Sequence, residues 1–415
     1  MRMNLLISMD FNKIFKIRPI LILIILFTSF YFIYDKKFNN FNNLVIDEEK
    51  YLTYLPHSGF NNQRIALENA IFLAWFLNRT LIVPPLIFFV GVAPSIGRPY
   101  NRSYKFLSQF IRPNERQFKY CFKRLSICNI TLCFQENQNY CTMKTYTIYN
   151  WEELIDFTFL KDHIKYIYRQ DFDYKHLLES LNIYNSLEAY NVTNDENRYQ
   201  QRYYDDPTST IELDKFKERV NLIDLSKRTE RLLHFGSVYS QERIVRQLPE
   251  SIEFWNKLMK KMIPNNPIII NIADKIVDKI GGIDSFIGVH ARLKDGFFVK
   301  RQNDTVQELI KRIQEDSEGD VCLTTKIFLA TDVRADHVSL QPFFQTFSCI
   351  YVLDNFNGLL EPLKFLKNPR DGMFMYEFLI PLVDLIVVSK GSKFYGSGGS
   401  TFSTYARRLN EVWIR

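Results

Sequence analysis

The segment "YLTYLPHSGFNNQRIALENAIFLAWFLNRTLIVPP" (residues 51–85) constrains the fold most, because it joins two strand patterns through one helical pattern. "YLTYLP" and "LIVPP" are predicted strands, and residues 61–78 are a predicted helix. Asn69 is the polar exception on the apolar face of this helix. The residues that form this face recur at i, i+3 and i+4 spacing: Ile65, Ala66, Ala70, Leu73, Phe76 and Leu77. A strand, helix and strand of this length predict a parallel, right-handed crossover and hence an α/β fold.

The same alternation fills the second half of the chain. Beyond "NNP" (265–267), a candidate linker, predicted helices at "IIINIADKIVDKIGG", "TVQELIKRIQED" and "MYEFLIPLVDLIVVS" alternate with predicted strands at "SFIGVHARL", "KIFLATD" and "SCIYVLD". "KFYGSGG" then leads into a last helix, "STFSTYARRLNEVW". This pattern predicts two doubly wound α/β domains, at 51–262 and 263–415. In such folds ligands bind at the carboxyl ends of the strands.

The middle of the chain is less regular. Residues 151–255 are charged, rich in tyrosine and predicted to be mainly helical, with "YNVTNDENRYQQRYYDDPTST" as an exposed loop. The net charge of +7 is spread along the 415 residues without a block of lysine and arginine. Chains that bind nucleic acid carry such blocks, so no nucleic-acid partner is predicted.

The N-terminus carries an apolar run without charge at residues 19–34, "PILILIILFTSFYFIY". Basic residues precede it and snorkelling side chains extend it, so it predicts a signal-anchor transmembrane helix. Residues 1–18 are then a cytosolic tail and residues 35–50 a polar stem. A cleaved signal peptide is the alternative, although the bulky "SFYFIY" does not suit a cleavage site. The prediction is a single-pass type II protein of the endoplasmic reticulum or Golgi membrane, with its main part lumenal.

Two further features agree with a lumenal address. Sequons for N-glycosylation occur at Asn78, Asn101, Asn129, Asn191 and Asn303. The six cysteines favour disulfides over a zinc site, because none has the C-x-x-C spacing. Cys322 and Cys349 each precede a predicted strand, and adjacent parallel strands would bring them together. Four others allow three connectivities: Cys121, Cys128, Cys133 and Cys141.

The corner "HSGFNNQR" (57–64) is the first candidate site. Gly59 permits a tight turn, and the following residues begin a helix whose free amide groups and partial positive charge suit a phosphate. The alternative is that Asn61 or Asn62 merely caps the helix.

The strand end "GVHARLKDGFF" (288–298) is the second candidate. His290 and Arg292 lie on one side of this strand, and Asp295 follows. An arginine beyond the end of a buried parallel strand is placed to bind a diphosphate with its two-pronged guanidinium group. An ordinary ion pair between Arg292 and Asp295 is the alternative, and Lys294 lies beside both.

A third candidate is "FYGSGGSTFSTYARR" (394–408), where a glycine-rich loop runs into hydroxyl groups at a helix start. Ser400 and Thr401 with free amide groups would form an anion-binding nest, or the residues simply cap the helix. Arg407 and Arg408 are predicted to form surface ion pairs. Asp384 lies in apolar surroundings and requires a partner. Guanine, with two adjacent N–H donors, is one such partner, and a capped backbone or an arginine is the other.

A catalytic metal is not predicted. "DFD" (171–173) has the D-x-D form of manganese-dependent transferases, but "YIYRQ" stands before it where a buried strand is expected. His234 and His337 are expected to be structural or exposed. No arrangement of serine or cysteine with histidine suggests a nucleophile.

The order of these motifs is more specific than any one of them. The corner "GFNN", the "HAR" strand end and the "STFS" helix start, with "ALENAIFLAWFLNRTLIVPP", "FLATD" and "DLIVVSKGSKFYGS" between them, resemble the GDP-fucose protein O-fucosyltransferase family. The resemblance covers residues 51–408, weakly at 105–237. It implies the glycosyltransferase-B fold, two Rossmann-like domains facing across a cleft, with the acceptor on the side of 51–262 and the GDP-sugar on the side of 263–415. It implies metal-independent, inverting transfer of fucose from GDP-fucose to a protein hydroxyl, without a cofactor.

The resemblance also implies residue roles. Arg292 would bind the diphosphate and neutralise the charge that develops on it, and His290 would hold the guanosine side. Asp384 would recognise guanine. The remaining donor contacts would come from Gly59, Phe60, Asn61, Asn62, Ser400, Thr401 and Phe402.

One departure from the family concerns the base. Some relatives carry a carboxylate beside the opening glycine, where this chain has His57 and Ser58. Either His57 serves as the base, or a phosphate of GDP takes the proton, or activity is lost. The competing interpretations are another nucleotide sugar or a glycan acceptor on the same fold, and a membrane-tethered pseudoenzyme or binding protein.

Overall fold

The computed structural model describes residues 49–56, 58–89, 146–169, 173–193, 199–294, 296–317, 319–370 and 372–414. The anchor predicted at residues 19–34 lies outside these ranges. So do His57, Asp295, Asn101, Asn129 and the cluster Cys121, Cys128, Cys133 and Cys141. Of the helices that the described ranges contain, none is both long and apolar enough to cross a bilayer.

The strands are, in chain order, β1 (Tyr51–Tyr54), β2 (Thr80–Val83), β3 (Leu86–Phe89), β4 (Tyr146–Tyr149), β5 (Tyr166–Tyr168), β6 (Ala189–Asn191), β7 (Gln201–Tyr204), β8 (Glu218–Asn221), β9 (Leu232–Phe235), β10 (Ile244–Val245), β11 (Phe286–Ala291), β12 (Lys326–Thr331), β13 (Ile350–Tyr351) and β14 (Lys393–Gly396). The α-helices are α1 (Phe60–Phe76), α2 (Thr158–Lys161), α3 (Tyr174–Ser180), α4 (Leu222–Ser226), α5 (Pro249–Lys261), α6 (Pro267–Ile280), α7 (Gly296–Val299), α8 (Gln302–Glu315), α9 (Val321–Thr324), α10 (Gln341–Thr346), α11 (Asn357–Lys364), α12 (Tyr376–Ser389) and α13 (Thr401–Ile414).

A parallel sheet of order β5-β2-β1-β9-β6 forms the first half. The parallel strand order predicted from residues 51–85 is confirmed, since β1 and β2 pair in parallel from Tyr51 opposite Thr80. The connecting helix α1 differs from a surface helix, because every residue from Gln63 to Ala74 is buried. Its polar side chains therefore need partners inside the protein, and Asn69 finds them by donating to the carbonyl groups of Val238 and Ser240, both at 2.8 Å.

The second half contains a parallel sheet of order β13-β12-β11-β14, with the predicted helices between the strands. Helix α12 lies directly on β11, because a Cβ atom at Gly288 would stand 2.0 Å from the carbonyl oxygen of Val388. The predicted pairing of Cys322 with Cys349 is confirmed by a disulfide with a Cα–Cα distance of 5.3 Å. It joins the segments before β12 and β13, which pair in parallel.

The prediction of a mainly helical segment at 151–255 is wrong. The described part of it contains six short strands, β5 to β10, of which β10, β7 and β8 form a separate parallel sheet. Its tyrosine and arginine side chains stack on one another, as where the Arg219 guanidinium lies 3.8 Å from the Tyr204 ring. The proposed linker at 265–267 is a helix start, because Asn266 Oδ1 accepts from the amides of Ile268 and Ile269.

Both halves pack around a common hydrophobic cluster. It includes Leu52 of β1, Ile71 of α1, Ile272 of α6, Leu385 of α12 and Tyr405 of α13. Helix α1 packs directly against α13 within it. The start of the first half thereby meets the end of the second.

The described sequons lie at the surface. Asn78 follows α1, Asn191 ends β6 and Asn303 lies on α8, and all three are exposed. Their positions are therefore accessible for modification in the folded protein.

Candidate functional site

The carboxyl ends of three neighbouring strands meet beside Arg292. Strand β11 ends just before Arg292, β12 is followed by Asp332, and β14 is followed by Ser397. The Ser397 hydroxyl accepts from the Arg292 amide at 2.9 Å and donates to the His290 carbonyl at 3.2 Å. This edge is the place where a doubly wound sheet binds its ligands.

Arg292 is paired with Asp332, whereas the partner that the sequence suggested, Asp295, lies outside the described residues. The distance from Arg292 Nε to Asp332 Oδ2 is 3.2 Å, and the side chains are 34% and 16% exposed. The same carboxylate accepts from the amides of Leu293 at 2.7 Å and Lys294 at 3.1 Å. Asp332 thus fixes both the backbone and the guanidinium group at the strand end, leaving Arg292 in reach of solvent.

His290 is buried between the strand end and α13. Its Nδ1 lies 2.7 Å from Ser403 Oγ, and its ring stacks on Phe402 at 4.1 Å between centroids. Burial and the positive charge of Arg292 lower the pKa of His290 to about 3. The imidazole is therefore neutral at physiological pH, and the local positive charge comes from Arg292.

The start of α13 presents an open backbone surface. A Cβ atom at Gly398 or Gly399 would meet no heavy atom within 4 Å, and Gly399 has a φ of +76°. Ser400 caps the helix, with its Oγ 3.4 Å from the Ser403 amide. The capping interpretation is thus correct for Ser400, while the glycines before it leave the helix N-terminus accessible to an anion.

The two predicted nests are joined by one hydrogen bond. Thr401 Oγ1 donates to Asn62 Oδ1 at 2.9 Å, across 339 positions of sequence. Asn61 and Asn62 lie inside the first turn of α1 and do not cap it, since the N-cap is Gly59 without a side-chain bond. The buried Asn61 Oδ1 accepts no hydrogen bond from the described residues. Asn62 is therefore bonded, whereas Asn61 keeps an acceptor for a ligand.

The tight turn before α1 depends on Ser58 instead of Gly59. Ser58 has a φ of 57°, whereas Gly59 has an ordinary φ of −76°. A Cβ atom at Gly59 would meet nothing within 4 Å. The glycine thus leaves open space over the helix start, and the left-handed conformation falls on its neighbour.

Two other residues of this corner hold it in place. The Phe60 ring stacks on Phe88 at 6.1 Å and packs on Trp151 at 5.8 Å. Gln63 donates to the carbonyl groups of Ser58 and Ile87 at 2.8 and 2.7 Å. These contacts place Phe60 in the packing beneath the corner and fix the turn against β3.

Asp384 lies on the face of α12 that covers β11. It stands one turn before Val388, which touches Gly288, and a crossover helix runs antiparallel to its strands. Four helical residues advance about 6 Å and two strand residues about 6.6 Å, so Asp384 lies level with His290. Its buried Oδ1 finds no partner in the described part of the chain, and burial together with Asp354 raises the pKa of Asp384 well above its ordinary value.

A cavity of about 530 Å³ opens beside the start of α13. Gly399 and Thr401 line it on one side. Other parts of the wall are formed by Lys215 and Phe216, in the segment where the family resemblance is weak, and by residues 239–243 just after it. Glu242 accepts from Lys215 at 2.9 Å and from Ser240 at 2.7 Å, and these donors lower the pKa of Glu242 to about 2.

Sequence reasoning missed two features of the site. Asp332 was quoted only as part of "FLATD", although a carboxylate after a buried strand was a usable signal. Arg408, expected at the surface, is largely buried and pairs with Glu68 of α1 at 2.7 Å. Its partner lies 340 positions away, which no local pattern reveals.

Within the described ranges, no group of three or more histidine, cysteine, aspartate or glutamate residues is arranged to hold a metal ion. Asp173 of the "DFD" motif caps α3, accepting from the amides of Lys175 and His176. His234 is buried and His337 caps a helical turn, in agreement with structural roles.

Known proteins resemble this chain at the level of a family model, a curated protein and solved structures. A family model described as GDP-fucose protein O-fucosyltransferase matches residues 51–412. O-fucosyltransferase 30 of Arabidopsis thaliana is 54% identical over 39 residues, which are 9% of this chain and 8% of that protein. The chain thus spans less than a tenth of the length of this relative.

Two groups of solved structures are similar at low sequence identity. The crystal structure of POFUT1 in complex with GDP is 13% identical, covering 88% of this chain and 95% of that chain, with a TM-score of 0.42. The structure of NodZ alpha-1,6-fucosyltransferase soaked with GDP-fucose is 13% identical, covering 87% and 92%, with a TM-score of 0.43.

Proposed function

Since the chain belongs to the GDP-fucose protein O-fucosyltransferase family, we propose that it transfers fucose from GDP-fucose, with inversion, to a serine or threonine hydroxyl of a protein acceptor. The observation that carries the proposal is the hydrogen bond between Thr401 and Asn62. It joins two helix starts that each suit an anion, beside the strand end that carries Arg292. Three motifs distant in sequence thus converge on one place.

The donor diphosphate would lie between the start of α13 and Arg292. The open backbone at Gly398 and Gly399 supplies amide groups, and the guanidinium group supplies a fixed positive charge. As the bond from fucose to the phosphate oxygen breaks, negative charge grows on the departing GDP. Arg292, held by Asp332, is placed to stabilise that charge. The neutral His290 supports Ser403 and Phe402 without contributing charge.

Guanine recognition is assigned to Asp384. One carboxylate accepts from both adjacent N–H donors of guanine, and the Asp384 Oδ1 atom is buried and unbonded among the described residues. A pyrimidine nucleotide lacks that pair of donors in the same geometry. This assignment therefore makes the site selective for GDP over UDP or CDP.

The acceptor would enter the cavity of about 530 Å³ beside Thr401. For inversion, its hydroxyl attacks from the face of fucose opposite to GDP and loses a proton. His57 is the proposed base, and a phosphate oxygen of GDP is the alternative acceptor of the proton. Glu242, in the cavity wall, is a poor candidate because its pKa is only about 2.

The proposed setting is the lumen of the endoplasmic reticulum or Golgi, with residues 19–34 as a type II membrane anchor. The disulfide between Cys322 and Cys349 supports an oxidising compartment, and the exposed Asn78, Asn191 and Asn303 support access to glycosylation. The proposal keeps the division into domains at 51–262 and 263–415, with the acceptor on the side of the first.

The test is thermal stability of the full-length protein with GDP, UDP, CDP and ADP, each with and without Mn²⁺. Metal-independent transfer from a GDP-sugar predicts that GDP alone raises the melting temperature, to the same extent with the metal. Stabilisation by UDP that requires Mn²⁺ would overturn both the donor and the mechanism. A GDP-binding pseudoenzyme would pass this test and then fail to consume GDP-fucose in the presence of acceptor proteins.

A further inference from the structure

A second cavity, of about 210 Å³, lies on the side of α13 that faces α1. We name it the arginine cavity, because three arginines from distant parts of the chain line it. Its wall is formed mainly by Arg64, Glu68, Asn69, Arg246, Trp255 and Arg408. Arg408 stands two turns beyond Thr401, so the arginine cavity is separate from the strand end that carries Arg292.

The ionisable groups of this wall are unbalanced in charge. Glu68 accepts from Arg64 and, at 2.7 Å, from Arg408. Burial alone would raise the pKa of Glu68, but these two arginines hold that pKa below its ordinary value. Two carboxylates act on Arg246 through their charge: Asp205, which lies outside the wall, and Glu68, which the other two arginines already share. Even when Asp205 is counted, one positive charge remains uncompensated among the described residues.

The guanidinium groups are held rigidly by their surroundings. Arg64 is 2% exposed and lies 4.0 Å from the centroid of the Tyr405 ring. Arg246 lies 3.4 Å from the Trp255 ring centroid and donates to Asn69 Oδ1 at 2.8 Å. Such stacked and hydrogen-bonded arginines lose little further freedom when they bind a ligand.

Each of the three arginines also keeps an unused donor. The Nε atoms of Arg64, Arg246 and Arg408 are buried, and none donates to a described residue. A buried donor without an acceptor is unfavourable, and an uncompensated buried charge is more so. Three arginines with such donors line one cavity, and a small oxyanion suits them because arginine matches the oxygen geometry of phosphate and carboxylate.

We propose that the arginine cavity binds an oxyanion of the size of phosphate or sulfate, between α1 and α13. The anion accepts from the guanidinium groups that line the cavity and neutralises the excess positive charge. Helices α1 and α13 pack against each other, and the Asn62–Thr401 hydrogen bond joins their first turns. An anion bound between the two helices therefore also stabilises their packing. This site does not depend on the proposed donor or acceptor.

Two sources supply the same chemical group. A free inorganic anion fills the cavity alone, whereas a larger ligand would carry the anionic group at its end. The arginine cavity and the cavity of about 530 Å³ share Ile65, Gln241 and Thr404 in their walls, so a larger ligand has a continuous path. Inorganic phosphate and glucose 6-phosphate probe the two sources separately.

The experiment measures binding of inorganic phosphate to the full-length protein by calorimetry, in chloride buffer of constant ionic strength. We expect saturable binding to the wild type that is weakened at least tenfold by Arg246→Gln. Arg246→Lys, which keeps the charge and loses the planar fork, should weaken it as well. Arg334→Gln should leave it unchanged, because Arg334 lies at the surface and pairs with Asp336.

Three results would overturn the proposal. One is the absence of phosphate binding to the wild type. Another is binding that is lost in Arg292→Ala and kept in Arg246→Gln, which would place the anion at the strand end. The third is equal binding in every folded variant, which would indicate general attraction to a basic protein. Tighter binding of glucose 6-phosphate than of phosphate would identify a larger ligand as the source, and weaker binding a free anion.

Discussion

The hydrogen bond between Thr401 and Asn62 provides the sharpest test of how the two halves cooperate. Thr401→Val replaces the hydroxyl with a methyl group of similar size and leaves Asn62 Oδ1 without its donor. Both residues are partly buried, so the loss in free energy of unfolding should be about 1 kcal/mol. If GDP binds with the two helix starts in this arrangement, the same loss weakens GDP binding about fivefold.

The assay is a double-mutant cycle on GDP affinity and on unfolding by urea, with Thr401→Val, Asn62→Ala and both together. The cycle predicts a coupling of about 1 kcal/mol, so that the double variant loses less than the two single losses added. Thr346→Val is the matched control, since the Thr346 hydroxyl is exposed and, among the described residues, donates to the Pro342 carbonyl of its own helix. Losses in the cycle that add within about 0.3 kcal/mol would refute the proposed link.

Three further predictions concern the strand end, guanine and the disulfide. Asp332→Asn removes the charge that positions Arg292. Because a partly exposed ion pair is worth about 1 kcal/mol, GDP binding measured by calorimetry should weaken about fivefold. Unchanged affinity would contradict this role of Asp332. The pKa of Asp384 is raised in the free protein and falls when guanine donates to its carboxylate. GDP binding should therefore release protons, and it should tighten as the pH rises towards the pKa of the free protein. Asp384→Asn should abolish this proton release, which is measured by calorimetry in buffers of different ionisation enthalpy. Cys322→Ser with Cys349→Ser opens a loop of 27 residues and should lower the free energy of unfolding by about 3–4 kcal/mol in urea denaturation, whereas a loss below about 1 kcal/mol would contradict it.

The second half of the fold was predictable because its strands are buried and its helices are regular. Strand β11 is buried over its whole length, Phe286–Ala291, and Asn266 and Gly281 mark the two ends of α6. The disulfide followed from the same regularity, since two cysteines before adjacent parallel strands had to be neighbours. Here local pattern and tertiary structure agree, so that either one indicates the other.

The segment at 151–255 escaped prediction because its strands hide their apolar faces. Tyr190 and Tyr204 are each covered by an arginine side chain, Arg228 and Arg219, whose guanidinium groups lie 3.5 and 3.8 Å from the ring centroids. Long cationic side chains then occupy the polar positions of the strand, so the sequence pattern resembles that of a charged helix. Strands of three or four residues add too little length to correct this impression.

The site was predictable in its residues and not in its pairings. The sequence located His290, Arg292 and Thr401 by their places after strands or at helix starts. It did not show that Asp332 holds Arg292, nor that Glu68 and Arg408 meet inside the protein. Both pairings join residues from separate elements, and only the packing of those elements brings them together.

The most direct test of the account is calorimetric titration of the full-length protein with GDP-fucose in the presence of EDTA, for wild type, Arg292→Ala and Arg334→Ala. We predict binding to the wild type, a loss of about 10–100-fold in Arg292→Ala from removal of a charged hydrogen bond, and no change in Arg334→Ala. Equal affinity of folded Arg292→Ala and wild type, or binding by the wild type only after Mn²⁺ is added, would contradict the proposed donor site.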